Sequence, residues 1–299
     1  MAHPTKELVA LPLPRGPRKS LYRLHRPRRV RAVRVRPRAA IALAVVSAIG
    51  LLAFCWPLFV QPGSQLAGRS DAPWLFVVLL PLLLAVVLAE VADGGMDAKS
   101  VAVLGVLAAV GAALRPLGAG TAGVETVFFL VVLGGRALGP GFGFVLGATT
   151  LFASALVTGG VGPWLPFQML AAGWVGFLAG CLPRATGRRE VALLTAYGAM
   201  AGLAYGALMN LWLWPFTTGL ESNISYVAGA PLTENLARFI AFTLVTSLGF
   251  DIPRALTTAA LVAVAARPVL LALRRAARRA EFEAVPTFAP PVPDGTMAR

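Results

Sequence analysis

Between about residue 39 and residue 273 the sequence is a succession of apolar runs, each about 14 to 24 residues long. Short breaks of Gly, Pro or charge separate them. A run of that length makes a helix able to cross a hydrocarbon core of roughly 30 Å. The runs are continuous and do not alternate, which argues against a transmembrane β-barrel. Only 13% of the residues are charged, against about 25% in a soluble domain. The expected fold is an all-α integral membrane protein with about eight transmembrane helices.

The breaks place helices at about 39–60, 72–92, 98–114, 124–136, 139–158, 163–183 and 190–214. The last apolar stretch, 236–266, would make about 46 Å of helix at 1.5 Å per residue. Gly249, Asp251, Pro253 and Arg254 fall near its centre. A charge at the bilayer midplane costs from about 2.5 kcal/mol upward. A break is therefore expected at Gly249–Pro253. The part before it would lie along or dip into the outer face, and the true span would run over about 251–273.

The formal net charge of +14 is unevenly placed. Residues 1–38 hold twelve Lys and Arg, and Arg274, Arg275, Arg278 and Arg279 follow the last apolar run. In a membrane protein such clusters mark the cytoplasmic side, so they do not point to nucleic acid. Binding of anionic lipid headgroups by the basic tail is compatible with that reading. Eight crossings starting inside put the tail, the 184–189 cluster and the 267–279 cluster in the cytoplasm. The outer loops 61–71, 115–123, 159–162 and 215–235 then carry just two arginines, Arg69 and Arg115. No cleavable signal is expected, since the first run is long for a signal segment. Four regions follow: a basic disordered tail over 1–38, two helices over 39–97, a core over 98–279 and a disordered tail over 280–299.

Chemistry is scarce. Cys55 and Cys181 lie inside apolar runs, and His3 and His25 lie in the basic tail. Neither a metal site nor a disulfide framework follows from that pattern, and no cofactor is expected. No HExxH, GxSxG or Walker A motif occurs, so no catalytic residue is expected and the chain is read as no enzyme.

Polar residues instead gather at the outer ends of helices. Arg115 and Glu125 flank a Gly-rich loop, and Gln168 lies one turn into a helix below Trp164. Asn210, Trp212 and Trp214 close another helix, and Asp251 and Arg254 share a face at i, i+3. Polar side chains of membrane helices usually face the bundle interior or a water-filled cavity. Each also fits a plainer role. The tryptophans fit interface anchors, Arg115 fits a snorkelling residue, Asp251–Arg254 a structural ion pair, and Gln168 and Asn210 interhelical hydrogen bonds. Gly105, Ala109 and Ala113 repeat at four-residue spacing, a small-residue face suited to helix packing within the chain or against a partner.

Several segments resemble the substrate-binding S component of energy-coupling factor (ECF) vitamin transporters. They are Leu114-Arg115-Pro116-Leu117-Gly118, the short helix before Leu138-Gly139-Pro140-Gly141, the small-residue helix after it, Asn210-Leu211-Trp212, and Phe250-Asp251-Ile252-Pro253-Arg254. The resemblance covers about 98–279 and implies a six-helix core preceded by two extra helices. It implies a vitamin or related micronutrient, most similar to the cobalamin type, bound at the outer face of a bacterial cytoplasmic membrane. Arg115, Glu125, Trp164, Gln168, Asn210, Trp212, Asp251 and Arg254 would hold it. Gly105, Ala109 and Ala113 would dock on a transmembrane T component, with two ATPases powering transport. The turn 136–141 and helix 139–158 would face that partner, and 159–164 with the start of the next helix would face the ligand. The extra helices and the basic tail depart from the family. A self-sufficient secondary transporter and a structural or assembly protein remain alternatives at this level.

Overall fold

The computed structural model describes residues 37–59, 72–92, 98–118, 122–217 and 223–281, without the side chains of 72–77, 90–92 and 279–281. Nearly all of the two expected tails lies outside the described residues. The described residues form helices α1 (Pro37–Cys55), α2 (Ala72–Ala92), α3 (Ala98–Leu114), α4 (Phe128–Leu138), α5 (Pro140–Thr158), α6 (Leu165–Cys181), α7 (Gly187–Leu213), α8 (Leu232–Phe242) and α9 (Leu248–Glu281). Short 3-10 turns follow α1, α3 and α7. Among the described residues, five helical stretches are long and apolar enough to cross a membrane.

Helix α4 has 11 residues and would cover only about 16 Å, half a hydrocarbon core. It need not match the bilayer, because every residue from Leu130 to Leu138 is buried inside the bundle. Helices α5, α6, α7 and α9 surround it. The tightest seam joins α5 to α6. A Cβ on Gly176 would stand 2.0 Å from the carbonyl oxygen of Gly143, so the two backbones touch. Small residues make that approach possible. Helix α5 is therefore interior, which corrects the expectation that it faces a partner subunit: its glycines serve α6.

Helix α3 divides its small residues between two faces. Leu104, Ala108, Gly111 and Ala112 are buried, with Gly111 against Thr150 of α5. Gly105, Ala109 and Ala113 are exposed, and nothing lies within 4 Å of the Cβ position of Gly105. The first two helices pack elsewhere. Phe54 of α1 is fully buried and meets the ring of Phe167 edge-on at 5.0 Å. Trp174 of α6 donates its indole N–H to Ser47 at 2.9 Å. Helix α2 contacts α5 and α6 and buries Leu79, Leu83 and Val86. The added pair thus covers the α6 side and leaves the small-residue face of α3 open.

The expected break at Gly249–Pro253 does not occur. Helix α8, a π-helical segment at Thr243–Ser247 and α9 follow one another without interruption. Two features let the helix run through Pro253. A proline ring collides with the carbonyl four residues earlier, and here that residue is Gly249, with no other element within 4 Å of its Cβ position to resist a shift. The wider π turn absorbs the disturbed ladder just upstream. Thr246 and Thr257 donate their hydroxyls to the carbonyls of Phe242 and Pro253, each at 2.7 Å. The resulting helix of residues 232–281 is about 75 Å long, more than twice the apolar thickness of roughly 30 Å.

Helix α7 lies along α9 through Gly198, Gly202 and Gly206. At Gly206 an added Cβ would fall 1.9 Å from Oδ1 of Asp251 and 2.6 Å from Nη1 of Arg254. The absence of a side chain there seats two charged groups directly on the helix backbone. Beyond α7, the ring of Trp214 is fully buried between Phe239, Phe242 and Tyr226, and its N–H reaches the carbonyl of Ile224 at 2.7 Å. Trp214 is thus a core residue, which corrects its reading as an interface anchor. Asn235, also buried, donates to the carbonyl of Val227 at 2.8 Å and fixes the approach to α8.

Candidate functional site

The loop after α3 is tied down at both ends. Thr126 donates its hydroxyl to the carbonyl of Leu114 at 2.6 Å, folding the loop back onto α3. Gly123 has φ +82, and a Cβ there would lie 2.0 Å from the carbonyl oxygen of Phe250. Only glycine combines that backbone region with so close an approach to α9. The loop and α9 enclose a cleft of about 250 Å³ lined by Gly118, Ala122, Gly123, Val124, Glu125, Phe250 and Arg254.

Two charged residues, Glu125 and Arg254, line the cleft, and Asp251 and Arg115 lie behind them. Arg254 pairs with Asp251, which is buried. Its guanidinium carbon lies 5.6 Å from the centroid of the Tyr205 ring, a favourable cation–π placement. Tyr205 in turn meets Phe128 edge-on at 4.7 Å. Arg115 donates to Oε1 of Gln168 at 3.2 Å and to Oγ of Ser154 at 3.4 Å, joining α3 to α5 and α6. Glu125 lies in the field of both guanidiniums. Burial pushes its carboxyl above the usual value, while the charges of Arg115 and Arg254 pull it back down.

The sequence-level set therefore divides. Arg115 and Gln168 are brought together by a direct bond, and Asp251 and Arg254 by another; Glu125 sits among the arginines. Trp164 makes its bond within its own turn, donating to the carbonyl of Gly160 at 3.1 Å, and is 40% exposed. Trp212 is buried, with Phe167 at 5.3 Å and Phe216 at 5.6 Å from its ring. Asn210 lies one turn beyond Gly206 on α7. Ser154, Tyr205 and Gly206 belong to the charged group but were missed from sequence. Gly206 carried a signal, being the third glycine at four-residue spacing on α7 and ending four residues before Asn210. A lone serine and a lone tyrosine in apolar helices carried none.

The other end of the bundle holds a second charged cluster. Arg136 on α4 donates to Oε1 of Glu190 at 2.7 Å and to the carbonyls of Leu182 and Pro183 at 3.0 Å. Arg274 on α9 reaches both oxygens of the same carboxylate, at 2.7 and 3.1 Å. Arg136 and Glu190 are buried. Their donors and acceptors are consumed by each other and by the α6–α7 connection, which marks a structural clamp.

Residues 99–266 match the family model described as ECF transporter, substrate-specific component. The match spans more than half of the chain and takes in both walls of the cleft. The chain belongs to this family. No curated protein and no solved structure matches it. This S component is thus a multi-pass helical membrane protein that serves as the substrate-binding part of an ECF transporter, alongside a T component and ATPases. The cleft residues from Arg115 to Arg254 all fall inside the match, whereas α1 and α2 precede it.

Glu125 gives the S component a testable pH dependence. Its folded carboxyl binds a proton more tightly than in the unfolded chain. Stability from that proton is full below the ordinary value of 4.5 and is lost as pH rises through the raised folded value. Thermal unfolding of wild type and Glu125→Gln across that window should show the wild type losing stability with rising pH relative to the variant. Parallel profiles would mean that the carboxyl is not held in an apolar setting.

Proposed function

We propose that this S component captures a small, charged, vitamin-like micronutrient in the cleft between the 122–127 loop and α9. The observation that carries the reading is the arrangement of Glu125 and Arg254 at one cleft, with Arg115 nearby. A carboxylate and guanidiniums held apart in a partly apolar pocket suit a ligand carrying an anionic group, a cationic group or both. Arg254 is held by Asp251 and by the face of Tyr205, so its charge is pre-positioned and little ordering entropy is lost on binding. Arg115 and Gln168 hold α3 and α6 at that end.

The scarcity of arginine in the loops at this end, against the clusters at 184–189 and 267–279, supports an orientation with the cleft outside a bacterial cytoplasmic membrane. Both termini then lie inside. The open face of Gly105, Ala109 and Ala113 supports docking of α3 on the T component. Cobalamin, the substrate type suggested by sequence, is large beside a cleft of about 250 Å³, so the geometry favours a smaller ligand.

Equilibrium binding of purified full chain to a vitamin panel that includes cobalamin tests the proposal. A small charged vitamin should bind, and Glu125→Gln should change its affinity about tenfold or more, the scale of one lost charge-assisted bond. Tight binding of cobalamin that ignores Glu125→Gln would overturn the assignment to this cleft.

A further inference from the structure

Three buried hydrogen-bond donors near the end of α7 have no acceptor. They are Nε1 of Trp56, Nε1 of Trp212 and the hydroxyl of Tyr226. Buried donors are nearly always satisfied, and each one left alone is costly. Three in one neighbourhood therefore call for a common acceptor. Their rings are contiguous. Phe216 lies between the two indoles, 5.8 Å from Trp56 at 39° and 5.6 Å from Trp212 at 48°. Tyr226 meets Trp56 at 6.4 Å.

The position of this cluster ties it to the charged cleft. Trp212 is seven residues beyond Tyr205, under Arg254. At 1.5 Å per residue it stands about 10 Å farther along the same helix. That is the span of a modest bicyclic molecule. Trp56 comes from the turn after α1, outside the matched residues 99–266.

We propose that Trp56, supplied by the added N-terminal helix, joins Trp212 and Tyr226 in an aromatic slot that takes the planar, acceptor-bearing ring of the substrate. This rests on the substrate reading above and names the substrate's class: a heteroaromatic ring with carbonyl or ring-nitrogen acceptors, joined to a charged group. Indole faces stack planar rings, and three neutral donors select acceptor atoms over a hydrocarbon. Phe216 fills the slot with a ring that accepts no such bond, so the substrate ring replaces it. Exchange of a satisfying ring for a non-satisfying one favours the bound state by pairing the orphan donors.

The test uses purified full-length protein and equilibrium dialysis with riboflavin, folate, thiamine and pyridoxal as ring probes, and biotin and pantothenate as probes without an aromatic ring. At least one ring probe should bind, and Trp56→Phe, Trp212→Phe and Tyr226→Phe should each weaken it about tenfold, the loss of one buried hydrogen bond. Tyr226→Phe removes a single oxygen, so it keeps the test open if a tryptophan variant fails to fold. Binding that responds to Glu125→Gln but not to these three would overturn the slot and leave the cleft standing. Selective binding of biotin or pantothenate would do the same. Binding by none of the probes would overturn both.

Discussion

Arg136→Ala lowers the unfolding free energy of the protein in mild detergent by about 3–5 kcal/mol, the usual cost of breaking a buried charge pair. Its side chain is 2% exposed and that of Glu190 is 5% exposed, so water cannot replace the lost partner. The substitution also strips donors from the carbonyls of Leu182 and Pro183, which close the α6–α7 connection. Arg274→Ala should cost clearly less. Arg274 is 39% exposed, and Glu190 keeps Arg136 when Arg274 is gone. Denaturant unfolding followed by tryptophan fluorescence separates the two variants. Equal and small losses would show that the clamp does not hold α4, α7 and α9 together. Ligand affinity should change little in either variant that remains folded, because the clamp sits at the opposite end of the bundle from the cleft.

Gly206→Ala should weaken substrate binding by about tenfold or more while leaving the helices assembled. The new methyl would overlap Oδ1 of Asp251 at 1.9 Å and crowd Nη1 of Arg254 at 2.6 Å. The ion pair must leave its seat, and with it the guanidinium moves off the ring of Tyr205 and away from the cleft. Displacements of that order around a charged ligand group cost the most where geometry is preorganised. Gly198→Ala supplies the comparison on the same stripe. Its added carbon would meet the Thr258 methyl at 3.1 Å and a Val262 methyl at 3.5 Å, and none of the charged groups. Dialysis with the wild-type ligand should show near-normal affinity for Gly198→Ala. Equal affinities for both variants would mean that the Asp251–Arg254 pair does not position the substrate.

Much of the architecture was legible because apolar run length and Gly/Pro breaks report helices directly. The bounds expected for the second and third helices, 72–92 and 98–114, coincide with α2 and α3. The last helix was misread, and for a definite reason. Proline and a charged pair in an apolar run usually mean an interruption. The run does not show that Gly249, four residues before Pro253, faces no neighbouring element, with a π turn upstream to absorb the strain. Helix α5 was placed at a partner surface because small residues look alike whether they meet another subunit or the next helix of the same chain. Only the 2.0 Å approach of Gly176 to the backbone of Gly143 decides between them.

The site was legible by residue type and less so by grouping. Arg115, Gln168, Asp251 and Arg254 stood out as polar residues in apolar surroundings, and the structure pairs them. Nothing in the spacing of Arg136, Glu190 and Arg274 foretold a cluster, since they lie on three helices far apart in sequence. The same holds for Trp56 and Tyr226, which meet only because α1 folds back on the end of α7. Long-range pairings of this kind depend on how helices cross, which periodicity does not encode.

The central claim is that substrate binds where the 122–127 loop meets α9. Hydrogen exchange of the full chain, with and without a saturating amount of the vitamin that binds in the panel, tests it most directly. The account predicts that bound ligand slows exchange at backbone amides of residues 122–127 and leaves 182–190 unchanged. Protection confined to residues 182–190, or absent from 122–127 at full occupancy, would contradict it.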